Sequence, residues 1–329
     1  MRVYRPESGN LVQREEPVPE PQRGEVLVRV RATSLNYRDL LILDGDHFTT
    51  GPGSLIPVSD AAGGVAAVGD GVTRFAAGDR VLNAFHSNWI AGRLPDNLVG
   101  YGNGQDGWLT EYRAVPEHAL VALPDSLSYE QGATLPCAAV TAWTSLSGVR
   151  PGETVLTLGT GGVSLFALQL AKQHGARVVA TTSSAAKAAK LTELGADVVI
   201  DYTATPEWGK AVLDATGGRG ADRIVEVGGP GTFAQSLVAA GTHHADIALV
   251  GFVGAGGAPV EFMDLFRSGA TVRKIWVGSR EDTEDLLRWL AVRPIEPVVD
   301  SVHPFDEAGA AFERFRSRRN LGKVVVSAA

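Results

Sequence analysis

Apolar and polar residues alternate at a period of two near the start of the chain. Val26, Val28, Val30 and Ala32 are separated by Arg29 and Arg31, the mark of a half-buried strand. Further short strands are predicted over 63–68, 80–84, 109–115 and 120–122, with turn residues such as Gly69-Asp70-Gly71 and Gly78-Asp79 between them. The polar, glycine-rich stretch 83–107 has no period and reads as a long loop. From about Ser128 the pattern changes. A helix over 129–146 is followed by strand and helix signals in turn. Strands are predicted over 154–158, 177–182, 198–201, 222–227, 246–253 and 271–277, with helices over 185–194, 207–215, 232–240 and 261–268. Such alternation implies a parallel sheet covered by helices on both faces. The tail adds a helix (283–291), a strand near Val298, a helix (306–316) and a last strand (323–326). These last elements need a partner sheet, and the N-terminal β-rich part supplies one. The expectation is a domain split in sequence, 1–123 with 279–329, around a nucleotide-binding domain, 124–278.

The stretch 154–176, TVLTLGTGGVSLFALQLAKQHGA, carries the most chemistry. A β-branched run stops at Gly159. Gly159, Thr160, Gly161 and Gly162 follow, then Val163 opens a helical pattern with Phe166, Ala167, Leu170 and Ala171. Strand, glycine turn and helix in that order form an anion site, because the backbone can approach a pyrophosphate and the helix start offers N–H groups and the positive dipole end. Ser164 stands where the dinucleotide fingerprint has its third glycine. About 20 residues on, an NAD-binding fold places an acidic residue for the ribose 2′-hydroxyl. Here the chain reads Thr181, Thr182, Ser183, Ser184, with Lys187 behind them. Hydroxyls and a lysine attract a 2′-phosphate that a carboxylate would repel, so NADP(H) is the expected cofactor. Ser183 and Ser184 also suit the cap of the helix that starts near Ala185.

Composition narrows the field. A net charge of −7 gives no general nucleic-acid surface, and the run Arg314, Arg316, Arg318, Arg319 reads as a solvated helix face. The single cysteine, Cys137, excludes an internal disulfide and a cysteine-built structural zinc site. The start of the chain lacks an apolar signal core and no apolar run is long enough to span a bilayer, so a cytoplasmic setting without membrane contact is expected.

Several motifs in order carry a family resemblance: SLNYRD (34–39), GGVAAVGDGV (63–72) followed by GDRV (78–81), LPCAAVTAW (135–143), the glycine motif, IDY (200–202), EVGGPGT (226–232) and LGKVVV (321–326). Together they resemble the medium-chain dehydrogenase/reductase family, in its zinc-independent quinone-oxidoreductase-like and zinc-type alcohol-dehydrogenase-like branch. The resemblance implies an α/β fold: a GroES-like β-rich catalytic domain joined to a Rossmann domain, with the active site in the cleft. It implies that Lys187, Tyr202 and Ser183 hold the adenosine phosphate end, that Gly251, Phe252 and Val253 line the nicotinamide and that Thr141 packs beside it, with Asn320 and Lys323 in the tail near the cleft. Alcohol-dehydrogenase relatives hold zinc with cysteine, histidine and cysteine. The matching segments here carry Asn36, Ser59 and Cys137, and the seven histidines show no metal spacing, so no zinc is expected.

Without a Lewis acid, hydride transfer suits acceptors that are already electrophilic, such as quinones and alkenes conjugated to a carbonyl. Asn36, Tyr37 and His47 are the candidate donors to the reacting oxygen. Asn36 and Tyr37 alternatively belong to a capped helix start, and His47 to a solvated loop; Asp39 reads as a support for the Asn36 turn. His86 and Trp89 lie in the long loop and either shape the pocket or form its outer wall. A zinc-free alcohol dehydrogenase or ketone reductase, and a non-catalytic NADPH-binding protein, remain as alternatives. The partners expected are a small-molecule substrate and a second copy of the chain. The copies would pair through the edge of the Rossmann sheet at strands 246–253 and 271–277.

Overall fold

Two strands that period-two alternation does not foretell begin the chain. They are β1 (Arg2–Glu7) and β2 (Asn10–Glu15), paired antiparallel. β1 carries Pro6 and β2 is largely exposed, so neither shows an apolar face in sequence. The computed structural model describes residues 1–7, 9–45, 54–241, 244–254, 256–257 and 259–328. Next come β3 (Glu25–Ser34), α1 (Tyr37–Leu43), β4 (Asp60–Val68), β5 (Arg80–Asn83), β6 (Gly100–Tyr101), β7 (Gly104–Gln105), β8 (Tyr112–Pro116), β9 (Leu120–Ala122) and α2 (Tyr129–Ala133). After α2 the helix expected over 129–146 is interrupted. A π-helical turn, Leu135–Ala139, precedes α3 (Val140–Ser145). Pro136 lacks an N–H and cannot continue the ladder of the preceding turn.

The alternating region then gives β10 (Thr154–Leu158), α4 (Gly162–Gln173), β11 (Arg177–Thr182), α5 (Ala185–Glu193), β12 (Val198–Asp201), α6 (Trp208–Ala215), β13 (Arg223–Glu226), α7 (Phe233–Ala239), β14 (Asp246–Leu249), α8 (Phe262–Ser268) and β15 (Thr271–Lys274). The tail forms α9 (Arg280–Val292), β16 (Val299–Pro304), α10 (Ala308–Arg316) and β17 (Lys323–Ser327).

The chain divides into two units, Met1–Val140 with Gly278–Ala329, and Thr141–Val277. The first is built on a seven-stranded sheet of order β16-β17-β3-β4-β5-β9, with β8 also pairing β3. The tail strands therefore do find the N-terminal sheet, β17 lying antiparallel to β3. Residues 124–140, expected with the nucleotide domain, cluster with this β-rich unit. α2 packs on β3 and β4, and a Cβ on Gly132 would lie 2.7 Å from Leu123 Cδ1. Valines at 26, 28 and 30 are buried with Val65, Val81 and Trp108, while Leu35, Leu109, Phe305, Phe312, Val324 and Val326 form a second core.

The second unit holds a six-stranded parallel sheet of order β12-β11-β10-β13-β14-β15. In order of appearance that is 3-2-1-4-5-6, the doubly wound order of dinucleotide-binding folds. Every residue of β10 is buried, as a central parallel strand covered on both faces requires. Leu156, Leu158, Val179, Ile200, Trp208, Ile224 and Ile247 make its core.

At the centre of the first sheet, Gly63 faces Val30 across the β3–β4 pair, and a Cβ there would stand 2.2 Å from the Arg29 carbonyl oxygen. The backbones must separate to admit a methyl group. Gly63→Ala is expected to destabilise the protein by about 1–3 kcal/mol, read as a lower denaturation midpoint in urea with an unchanged slope.

Candidate active site

In the second unit, the C-terminal ends of the parallel strands bring most of the predicted nucleotide residues to one edge of the sheet. β10 ends at Leu158 and Gly159 turns with φ +72°, a region that favours glycine. A Cβ at Gly159 or Gly161 would meet nothing within 4 Å, so the motif leaves open space before the start of α4. Gly161 is the N-cap of α4 and has no side-chain oxygen to occupy the first-turn N–H groups. Ser164 is buried and donates to the Leu158 carbonyl at 2.6 Å, which ties helix to strand at the position of the third glycine. Thr160 is buried, and Gly162 and Val163 form the first turn beside it.

β11 lies next to β10, and the Thr181 carbonyl accepts the Gly159 N–H at 3.0 Å. Beyond β11, Ser183 is exposed and Ser184 caps α5, its hydroxyl accepting the Lys187 N–H at 3.4 Å. Tyr202 follows β12 and is exposed. At the end of β13 the buried Glu226 carboxylate accepts the N–H groups of Gly228 (2.7 Å) and Gly229 (2.9 Å) and the hydroxyls of Thr232 and Ser236. It thereby fixes the turn that supports Gly251-Phe252-Val253 after β14. Gly251 and Val253 donate to the carbonyls of Glu226 and Val227, both at 3.2 Å. A Cβ at Gly251 would stand 2.7 Å from the Val227 oxygen. Thr141 is buried at the opposite end of this unit's sequence, where its carbonyl accepts the Ser145 hydroxyl at 2.7 Å.

The first unit encloses a polar network. Asn36 is the N-cap of α1, and its N–H donates to Asp39 Oδ2 at 2.8 Å, so Asp39 does hold the Asn36 turn. The Asn36 side chain points elsewhere. Lys323, the first residue of β17, reaches Leu35 O at 2.6 Å and Asn36 Oδ1 at 2.5 Å. Asn36 Nδ2 donates to Ser59 Oγ (3.3 Å), and Ser59 donates to Asp60 Oδ1 (2.7 Å). Asp60 Oδ2 accepts the Cys137 N–H at 3.0 Å, from within the π-helical turn. The backbone at Val58, just before Ser59, has φ +73°, a costly conformation for a β-branched residue. Arg38 donates to Asp39 Oδ1 (3.3 Å) and to the Tyr101 carbonyl (2.9 Å). Cys137 is partly exposed as a residue, yet its thiol is pushed far up, by burial first and the Asp60 charge second. Among the described residues, no group of three or more His, Cys, Asp or Glu is placed to hold a metal ion.

The model of the alcohol dehydrogenase GroES-like domain matches residues 22–125, and that of the zinc-binding dehydrogenase matches residues 162–292. A zinc-type alcohol dehydrogenase-like protein of Schizosaccharomyces pombe is 41% identical, over 92% of this chain and 90% of its own. The chain belongs to the medium-chain dehydrogenase/reductase family. An acryloyl-coenzyme A reductase of Metallosphaera sedula is 30% identical over 94% of both chains. Of solved structures, a NAD-dependent alcohol dehydrogenase superposes with a TM-score of 0.93 at 32% identity, covering all of both chains. A mycobacterial protein in complex with NADPH gives 0.82 at 27%, covering 99% of this chain and 100% of the other. This medium-chain dehydrogenase/reductase is accordingly a nicotinamide-dependent oxidoreductase.

Not every predicted residue joins these clusters. Tyr37 lies on α1 but turns its hydroxyl to Arg318 Nη2 at 3.1 Å, with the guanidinium over its ring. Asn320 is buried and donates to Gly322 O at 2.8 Å, shaping the turn into β17. His47 lies outside the described residues. Sequence reasoning gave Lys323 no partner and read Glu226 only as part of a motif. A signal for Lys323 existed. It opens an otherwise apolar strand, KVVV, and strand periodicity sets it on the same face as Val325.

Both carboxyl groups of the pocket are displaced. Burial pushes Asp39 up to about 6, with Arg38 and the Asn36 N–H pulling the other way. Burial also raises Asp60, against Lys323 and its hydrogen bonds. A carboxyl that holds its proton more tightly in the folded state contributes stability that is complete below the ordinary carboxyl range. That contribution is lost as pH rises through the folded value. Stability is therefore expected to fall as pH rises from about 4 to about 7. Asp39 alone accounts for roughly 3 kcal/mol, two pKa units at about 1.4 kcal/mol each. Urea midpoints across that range should decline less steeply in Asp39→Asn than in the parent protein.

Proposed function

We propose that this protein is an NADPH-dependent reductase that passes hydride, without a metal, to a quinone or to an alkene conjugated with a carbonyl. The observation that carries the reading is the Lys323 ammonium seated 2.5 Å from Asn36 Oδ1 in the polar pocket of the first unit. The family model's name implies zinc, and the residues present do not fit that ion. Zinc takes thiolate, imidazole or carboxylate donors in a tetrahedron. The pocket offers a carboxamide, a hydroxyl and a thiol that burial keeps protonated, while Asp39 and Asp60 already accept from Arg38, Asn36, Ser59 and Cys137. A lysine ammonium beside them repels a second cation. Acceptors that are electrophilic before they bind are those for which such a pocket suffices.

The choice of NADPH is supported by the residues after β11. Thr181, Thr182, Ser183 and Ser184 supply hydroxyls and no carboxylate, and Lys187 sits in the first turn of α5, where the helix dipole also favours a phosphate. Thr160 through Val163 at the start of α4 would take the pyrophosphate on backbone N–H groups. The NADPH complex of the mycobacterial neighbour agrees with this reading. Bound there, the coenzyme supplies the hydride. The acryloyl-coenzyme A reductase likeness favours an activated alkene, and the alcohol dehydrogenase likeness favours a simple ketone as the second reading.

A second copy of the chain is the partner proposed for the edge of the parallel sheet. β15 is the outer strand, with Val272 and Trp276 exposed near it. On α8, Phe262 and Phe266 are 75% and 70% exposed and stack at 6.4 Å. An open edge beside an apolar face calls for a cover. A dimer is expected by light scattering at micromolar concentration, and Phe262→Ser with Phe266→Ser should shift it to monomer; a monomeric parent protein refutes this.

Hydride transfer is tested by following NADPH oxidation with a quinone, an α,β-unsaturated ketone and a simple ketone, each with and without a strong chelator. Turnover of the first two, unchanged by chelator, is expected; activity on the simple ketone alone, abolished by chelator, sinks the proposal. Lys187→Ala should raise KM for NADPH about tenfold, the loss of one charge-assisted hydrogen bond, and leave KM for NADH unchanged.

A further inference from the structure

A buried carboxyl group at the end of β13 draws two hydroxyls away from the helix they begin. Thr232 is the N-cap of α7, yet its hydroxyl holds no N–H of the first turn and donates instead to Glu226 Oε1 at 2.5 Å. Ser236, within that first turn, is fully buried and donates to Glu226 Oε2. A threonine at an N-cap ordinarily satisfies a free N–H of its own helix. Departures from local preference of this kind concentrate at functional sites.

The loops on either side show what the carboxyl group does. Oε1 also accepts the N–H groups of Gly228 and Gly229, so the chain folds back on its own strand end. The loop after β14 lies flat on this fold. Val250 donates to the Glu226 carbonyl and Gly254 to the Gly228 carbonyl, both at 2.8 Å. The contact is backbone on backbone. A Cβ at Gly229 would stand 2.7 Å from Phe252 Cα, and one at Gly257 would stand 1.8 Å from the Pro230 oxygen. Holding the first loop therefore holds the second. The order of the sheet indicates what they carry. β10, β11 and β12 make one half of the doubly wound sheet and β13, β14 and β15 the other, and a dinucleotide spans the crevice between the halves. The hydroxyls and lysine that suit a 2′-phosphate follow β11, and the glycine turn that suits a pyrophosphate follows β10. The remaining end of the coenzyme then extends over the ends of β13 and β14.

We propose that Glu226 is a positioning residue for the nicotinamide end of the coenzyme: its side chain holds the loops after β13 and β14 as one rigid layer on which that end rests. The inference rests on the NADPH-dependent reductase reading given above. Being fully buried, Glu226 acts through the backbone of residues 228–229 and 251–254. The layer sets where the ring stands relative to the acceptor, while the adenosine end is held separately at β10 and β11.

The test compares two ligands by calorimetry: NADPH, and 2′,5′-ADP, which carries the adenosine end with its 2′-phosphate and no nicotinamide. Glu226→Leu should raise Kd for NADPH about tenfold while Kd for 2′,5′-ADP stays within about twofold. At saturating NADPH the same variant should lower kcat about a hundredfold, the effect of a displaced ring. Glu226→Gln keeps an oxygen for the three donors on Oε1 and turns its amide to the Ser236 hydroxyl, which then accepts. It should bring NADPH affinity and kcat back to within about threefold of the parent protein. Leaving two buried N–H groups without an acceptor can prevent folding, so Thr232→Val and Ser236→Ala, which keep both N–H bonds, are measured alongside. Each should show the same split between the ligands, at about threefold. Folded variants that weaken both ligands equally, or that keep the parent's NADPH affinity and kcat, overturn the inference and make Glu226 a support of the whole unit. Variants that show the split in a protein that reduces only a simple ketone leave the positioning role standing and overturn the reductase reading instead.

Discussion

A lysine ammonium enclosed in an apolar sheet must be neutralised, and the first unit is arranged around meeting that demand. Lys323 opens β17 ahead of three valines and is buried, where an unpaired charge is intolerable. Its partners are the Leu35 carbonyl and the Asn36 amide oxygen between β3 and α1, and the network runs on from Asn36 to Ser59 and Asp60 at the start of β4, where Asp60 accepts the N–H of Cys137 in the π-helical turn. The pairing of β17 with β3 places the lysine beside Leu35, because Val325 lies opposite Ser34. The irregularities of the unit follow. The π-helical turn presents the Cys137 N–H that Asp60 accepts, and Val58 adopts a left-handed backbone just before Ser59.

The second unit solves a different problem. Its parallel strands end together, and the doubly wound order opens a gap between β10 and β13 where no connection crosses. Glycines leave that place open at Gly159 and Gly161, while at Gly251 a glycine lets backbone lie against backbone. Glu226 makes the floor rigid. One buried carboxyl group gathers two backbone N–H groups and two hydroxyls, so its oxygens are satisfied at full burial. The placement of open backbone at one position and crowded backbone at another, rather than glycine content as such, makes the edge suitable for a dinucleotide.

The two units differ in what they bring together. Coenzyme recognition depends on backbone geometry at strand ends, which many side chains tolerate. The first unit gathers a few charged and polar groups into one buried network. There the carboxamide of Asn36 lies between the hydroxyl of Ser59 and the ammonium of Lys323. The same scaffold can then favour substrates of different intrinsic reactivity.

How much was legible beforehand follows from the range of each interaction. Strands such as 177–182 and 198–201, and the glycine turn after Leu158, are written in local periodicity and φ preference, so one-dimensional reading finds them. The helix expected over 129–146 fails at Pro136, where missing N–H chemistry outweighs apolar spacing. The strands β1 and β2 show no period-two alternation and escape notice, although Val3 and Tyr4 are buried in a core. The polar pocket is of another kind. Lys323 and Asn36 are 287 residues apart, and their meeting depends on a strand register that no local pattern encodes. By itself, therefore, the order of residues determined most of the elements, the doubly wound class and the glycine turn after Leu158. Tertiary structure alone decided which buried charges face one another, because that depends on how β17, β3, β4 and the turn at Cys137 come together in three dimensions.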